Sequence, residues 1–291
     1  MARVRPRSGT RREGGSAQVA SCAIERTEFL VAQRLSGVAR DVGVRVAAVA
    51  VLLIIWEGLA LAAFWPPVVL PSPGQVWDQF VVTLTDGYAG STVVERLGVS
   101  LRRVGLGSVY GIGIGVGLGL VMGLVPLVRT ITEPLVTFLR ALPPLAYLSL
   151  LVIWFGIDEE PKVYLLMVAA FPPVAVATAA AVTGVNRQYV EAAQALGGNR
   201  WHVIGTVILP ASAPEIITGV RIAVGIAYSS VVAAETVNGA DGIGGMVLNA
   251  QRYNQTSTVI LGLIVIGLTG LLIDTLILLV QRVLSPWRGL V

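Results

Sequence analysis

His202, Lys162 and Cys22 are the only histidine, lysine and cysteine among 291 residues, and each lacks the neighbours its chemistry needs. A lone histidine excludes a multi-histidine metal centre and confines any serine–histidine dyad to the vicinity of position 202. A lone cysteine excludes a disulfide within the chain. Lys162 stands in EEPKV, outside any glycine-rich loop, so no phosphate loop of the form G-x-x-x-x-G-K-[ST] is present. The remaining chemistry-bearing residues are polar groups inside apolar runs. They are Arg140, Tyr147 and Ser149 in one run, and Tyr228, Ser229, Ser230 and Glu235 in another. Polar and ionisable groups within a membrane are costly and mark solute paths, so these seven are the candidates for lining one. Other roles compete. Arg140 and Arg221 could snorkel at helix ends, the hydroxyls of Tyr228, Ser229 and Ser230 could bond to neighbouring helices, and Asp274 reads as a helix–helix contact.

The elements that must position these residues are apolar. The chain is 55% hydrophobic and 13% charged, where soluble domains carry about 25% charged residues. Its apolar runs approach the roughly 20 residues needed to cross about 30 Å of hydrocarbon. Runs of that length make helices, not the short alternating strands of a membrane barrel. The expectation is an all-α, polytopic membrane protein with about six transmembrane helices. The runs cover residues 46–64, 104–127, 131–155, 163–182, 216–236 and 259–280, the third broken at Leu142-Pro143-Pro144 and the fourth containing Pro172-Pro173. In the second, Gly111, Gly115, Gly119 and Gly123 recur every four residues, a row that lets another helix approach backbone to backbone. A turn cluster and a short surface helix are expected between residues 66 and 103.

The net charge of +4 does not read as a nucleic-acid footprint, because nine of the 21 basic residues lie in the first 45 positions. That leader, residues 1–45, is expected to be a disordered cytoplasmic tail that sets topology by the positive-inside rule. Residues 46–65 form the first span, 66–103 an extracytoplasmic segment, 104–283 the membrane core and 284–291 a cytoplasmic tail. Parity then puts the polar interruption, residues 184–215, on the cytoplasmic face.

That interruption contains EAAQALGGNRWHVIGTVILP, residues 191–210. EAAQAL is a good helix former, Gly197-Gly198 ends the helix at a left-handed cap, and Asn199 can cap the next one. Trp201 to Leu209 reads as a second short helix stopped by Pro210. Small side chains at Ala192, Ala193 and Ala195 permit close docking of another protein, although a helix pair lying on the membrane surface fits the same pattern.

The stretch resembles the EAA loop of permease subunits of type I ATP-binding-cassette importers. That family's pattern is E-A-A, three residues, Gly, nine residues, Ile, one residue and Leu-Pro. Here Glu191-Ala192-Ala193, Gly197 and Leu209-Pro210 keep the spacing, and Val207 replaces Ile. Further stretches, PPLAYLSLLVIWFGI (143–157), ILPASAPEIITGVRI (208–222) and VVAAETV (231–237), resemble the permeases of taurine and aliphatic sulfonate importers. Nitrate, bicarbonate and thiamine-precursor importers share much of the pattern. The resemblance implies the type I permease fold with a cytoplasmic coupling helix in a bacterial plasma membrane. It assigns Glu191, Ala192, Ala193, Gly197, Leu209 and Pro210 to coupling with a separate ATPase. It implies two copies of that ATPase, which binds ATP and Mg, an extracytoplasmic substrate-binding protein, and a second permease copy. No cofactor is expected in this chain. Two other readings compete: an ion-driven secondary transporter would show repeated halves with matching broken helices, and an intramembrane enzyme would need a nucleophile–base pair.

Overall fold

The alternation of capping signals with apolar runs decides where each helix starts. A computed structural model of the chain describes residues 40, 43–236 and 241–284. Most of the leader, Cys22 and the C-terminal tail lie outside the described residues. Among the described residues no strand forms, and one isolated bridge joins Tyr88 to Ser91. The chain divides into two compact units, Met1–Phe64 and Trp65–Val291. The first carries helix α1, Gly43–Leu61, long and apolar enough to span a bilayer.

The second unit begins with α2, Pro73–Thr85. Ser72 Oγ accepts from Gln75 N while Gln75 Oε1 accepts from Ser72 N, a capping box with Pro73 at the first helical position. The same device starts α3, Val93–Leu124, where Thr92 and Glu95 exchange the two bonds. At 1.5 Å per residue its 32 residues reach about 48 Å, longer than the hydrocarbon core. The helix therefore begins eleven residues before the apolar run does.

Next come α4, Pro126–Ala141, and α5, Pro144–Phe155, bent against each other by 99°. The sequence predicts one broken span here, and the break is a right-angle corner. Pro143 and Pro144 cannot donate helical hydrogen bonds, and each proline pushes the residue before it out of the helical region. Leu142 and Pro143 are accordingly extended, with ψ of 128° and 135°. Helix α6, Glu160–Thr183, in contrast continues unbroken past Pro172-Pro173. Five helices qualify as spans, or six if the bent pair counts as one.

Helix α6 is the centre of the unit, with long buried stretches on more than one side. The glycine row of α3 is the reason α3 can lie against it. A Cβ added at Gly111 would stand 2.7 Å from Ala170 Cβ, at Gly115 2.7 Å from Phe171 O, at Gly119 2.5 Å from Ala175 O, and at Gly123 2.6 Å from Val182 Cβ. Gly113 and Gly117, on the other side of α3, would meet nothing within 4 Å. Across α6, Gly219 of α9, Leu209–Ser229, presses on Ala177.

Between α6 and α9 lie α7, Arg187–Ala195, and α8, Arg200–Val203, followed by a π-helical turn, Ile204–Ile208. Pro210 is expected from the sequence to stop this segment, but the helix continues from Arg200 to Ser229. A proline would clash with the carbonyl four residues before it, here Thr206. The wider π turn covers that residue and lets the chain pass. Short α10, Val231–Ala234, then α11, Ile243–Arg252, and α12, Thr256–Leu284, complete the fold.

Candidate functional site

Helix α7 is polar with no fully buried residue, and hydrogen bonds at its ends fix it. Asn186 Oδ1 accepts from Gln188 N at the start, and Arg187 pairs with Glu191 at 2.7 Å across one exposed turn. At the far end Gly197 N donates to Gln194 O and Gly198 N to Ala193 O. That paired closure is the Schellman arrangement, which requires a left-handed residue after the cap, and Gly197 supplies it with φ of +88°. Asn199 Oδ1 then accepts from His202 N at 2.8 Å, capping α8. The expected glycine corner and Asn199 cap are both present.

The corner encloses a surface concavity of about 370 Å³ lined by Ala193, Leu196, Gly197, Gly198, Asn199 and His202. Glu191, Ala192, Leu209 and Pro210 are exposed, and Ala193 is half-buried. Two residues not singled out in the sequence dominate this surface: Leu196 is 90% exposed and Trp201 79% exposed. Large apolar side chains in a polar loop were the available signal.

The seven candidate path residues do not share one surface. Arg140 and Tyr147 line a single cavity of about 50 Å³ with Val168, Ala169, Pro172 and Pro173. Ser149 and Ser229 are exposed. Tyr228 is buried and donates to Ile266 O at 3.0 Å while touching Thr269, which is the helix-contact role. Ser230 Oγ donates to Ile226 O one turn back.

Glu235 is fully buried. Its Oε1 accepts from Ser100 Oγ at 2.7 Å and Arg103 Nη1 at 2.9 Å, and its Oε2 from Gly244 N at 2.7 Å. Arg103 also reaches Glu159 through Nε and Nη2, at 2.7 and 2.6 Å. One buried guanidinium thus bridges a buried carboxylate on one side and, on the other, a carboxylate whose side chain is 59% exposed. Hydrogen bonds from Arg103, and from Lys162 after burial has acted the other way, hold the Glu159 carboxyl down at about 2. Arg96 and Arg103 fall in the segment expected to be extracytoplasmic, yet both are buried on α3, Arg96 donating to Tyr88 O. Arg221 does not snorkel. It forms a two-pronged pair with Asp274 that ties α9 to α12. Among the described residues no three or more His, Cys, Asp or Glu side chains could hold a metal ion.

Residues 111–289 match the family described as binding-protein-dependent transport system inner membrane component. The taurine transport system permease protein TauC of Escherichia coli (strain K12) is 38% identical over 86% of this chain and 91% of its own length. A putative aliphatic sulfonates transport permease protein, SsuC of Bacillus subtilis (strain 168), is 33% identical over 82% of this chain and 86% of its own. Among solved structures, an inward-facing form of the MetNI methionine ABC transporter aligns with 66% of this chain and 95% of its own at 19% identity, with a TM-score of 0.59. That likeness carries the fold. The chain accordingly belongs to the family of inner-membrane components of binding-protein-dependent transport systems, and is a multi-pass permease subunit of an ABC importer in a bacterial cytoplasmic membrane.

Proposed function

We propose that this permease forms half of the path for taurine or a closely related sulfonate, and that its α7–α8 corner couples the path to ATP hydrolysis on a separate chain. The observation that carries the coupling assignment is the corner itself. An exposed polar helix ends at a left-handed glycine, and Leu196 and Trp201 stand out beside a concavity lined by small residues. Exposed aromatic and aliphatic anchors flanking small residues are what a docking protein surface needs. Glu191, Ala192, Ala193 and Gly197 meet the ATPase, and Leu209-Pro210 leads the motion into α9.

Two ATPase copies bind ATP and Mg, and a substrate-binding protein delivers solute on the outer face. A second copy of this chain completes the path around a two-fold axis. ATP binding draws the two corners together and opens the helices outward; hydrolysis resets them. Each step works only because its ligand binds the two states unequally. The similarity to TauC and SsuC supports a sulfonate as solute.

Uptake of labelled taurine by cells lacking the gene, with and without its restoration and in competition with other sulfonates and nitrate, tests the reading. Uptake that returns with the gene and is blocked by sulfonates alone supports it. Uptake blocked by nitrate instead reassigns the solute, and loss of no solute at all removes the path assignment.

A further inference from the structure

The cavity shared by Arg140 and Tyr147 has two unlike walls. On one, Arg140 is an exposed residue with no carboxylate within salt-bridge distance among the described residues. Tyr147 lines the same space. On the other wall are Val168 and Ala169. In an unbroken helix their carbonyls accept from the amides of residues 172 and 173. Both of those are prolines and have no N–H to give. Among the described residues no side chain donates to either carbonyl. The tandem prolines therefore free acceptors on the helix face that lines the cavity.

The depth of this place matters. Helix α6 has 24 residues, about 36 Å of length, and Pro172-Pro173 fall at its midpoint. The cavity therefore lies midway along α6, where Leu139, Arg140, Leu142 and Pro144 bring the corner between α4 and α5 against it. The space has a volume near 50 Å³, room for a few water molecules.

We infer that this cavity is a subsite for a zwitterion bearing a strong anion and an ammonium group, with the anion on Arg140 and Tyr147 and the ammonium on the carbonyls of Val168 and Ala169. The inference rests on the proposed sulfonate path and adds which end of the solute meets which wall. A guanidinium presents forked donors to an oxyanion, and carbonyl oxygens can only accept. A plain anion satisfies the first wall and is repelled by the second. A zwitterion such as an aminosulfonate satisfies both. Contacts to charged groups of this kind discriminate on the order of tenfold.

The test compares labelled taurine with labelled ethanesulfonate, the same anion without its ammonium. Uptake is measured in cells lacking the gene and carrying the wild-type chain, Arg140→Gln, Arg140→Lys, Tyr147→Phe, Pro172→Ala or Pro173→Ala. Arg129→Gln, which loses only an exposed pair with Glu133, serves as the control. Arg140→Gln should lower uptake of both solutes about tenfold or more, and Arg140→Lys should restore part of it. Each proline variant returns an amide donor to one carbonyl and should shift the taurine-to-ethanesulfonate ratio several-fold toward ethanesulfonate. That ratio is internal to each strain, so a change in protein amount does not move it. An unchanged ratio in both proline variants, or undiminished uptake in Arg140→Gln, overturns the subsite and leaves the sulfonate path standing. A wild-type chain that restores uptake of neither solute overturns both.

Discussion

Substitution of Gly197 tests whether the corner between α7 and α8 must be left-handed to work. Its φ is +88°, a region that costs an L-residue about 1–2 kcal/mol and a β-branched one more. No second cost enters, because a Cβ at 197 would meet nothing within 4 Å. An energy of that size changes the population of the native corner about 5- to 30-fold. If only that corner transmits the ATPase stroke, uptake in Gly197→Val falls by about that factor, while membrane insertion and basal ATP hydrolysis persist. Asparagine tolerates the left-handed region, so Gly197→Asn stays near wild type. Gly198 fails differently. An added Cβ would stand 2.7 Å from Ala193 O, the carbonyl that Gly198 N itself bonds, so Gly198→Ala is worse than Gly197→Ala. Proteoliposomes holding the assembled transporter, read for uptake per ATP hydrolysed, give the order directly. Wild-type coupling in Gly197→Val, or equal losses in Gly197→Asn and Gly197→Val, would refute the backbone argument.

Packing and charge fix three further outcomes. Arg103→Met leaves the fully buried Glu235 carboxylate without its cation and should cost about 3–5 kcal/mol, whereas Arg103→Met with Glu235→Gln recovers part of the loss; thermal unfolding in detergent reads both. Gly119→Val drives a side chain into Ala175 O and Thr178, with an expected cost of about 1–3 kcal/mol. Gly117→Val, which meets nothing, should leave the melting temperature within a degree or two by the same reasoning. Glu159, held at about 2 in the fold against an ordinary 4.5, stabilises the folded state fully above its ordinary value and loses that contribution as pH falls toward 2. The gap in melting temperature between wild type and Glu159→Gln should therefore be flat above about pH 5 and shrink below it; a gap that changes between pH 6 and 8 would contradict the assignment.

The features legible in the sequence are those that one helix decides alone. The row Gly111, Gly115, Gly119, Gly123 announces a close neighbour from spacing only, and α6 occupies that face. Gly197-Gly198 and Asn199 announce the corner, because a Schellman closure and an N-cap are made within six residues. The start of α3 is equally local, in Thr92 and Glu95, yet hydropathy hides it because Glu95, Arg96, Arg102 and Arg103 lower the apolar character of that stretch. Arg96 and Arg103 find partners inside the fold, although Arg96 Nε is left without one, and hydropathy along that stretch does not reveal those partners.

The candidate path failed to appear as one surface for the same reason. Glu235 and Arg140 look alike in the sequence, each an ionisable residue within an apolar run, and both are fair candidates on the cost of placing charge in a membrane. That cost can be met in two ways. Glu235 meets it internally, with Arg103 lying 132 residues upstream, and its oxygens are occupied by Ser100, Arg103 and Gly244. Arg140 has no such internal partner among the described residues and borders open space. The same rule that marks both as expensive thus leaves one as a structural tie and the other available to a solute. The difference rests on residues that meet only when α3, α6 and the α10–α11 segment are packed. The prolines sharpen this. Pro172 and Pro173 lie inside α6, which continues past them, and their effect beside the cavity is to strip donors from Val168 and Ala169. A missing hydrogen bond has no signature in hydropathy, and it acquires meaning only once Arg140 and Tyr147 are found across the same cavity.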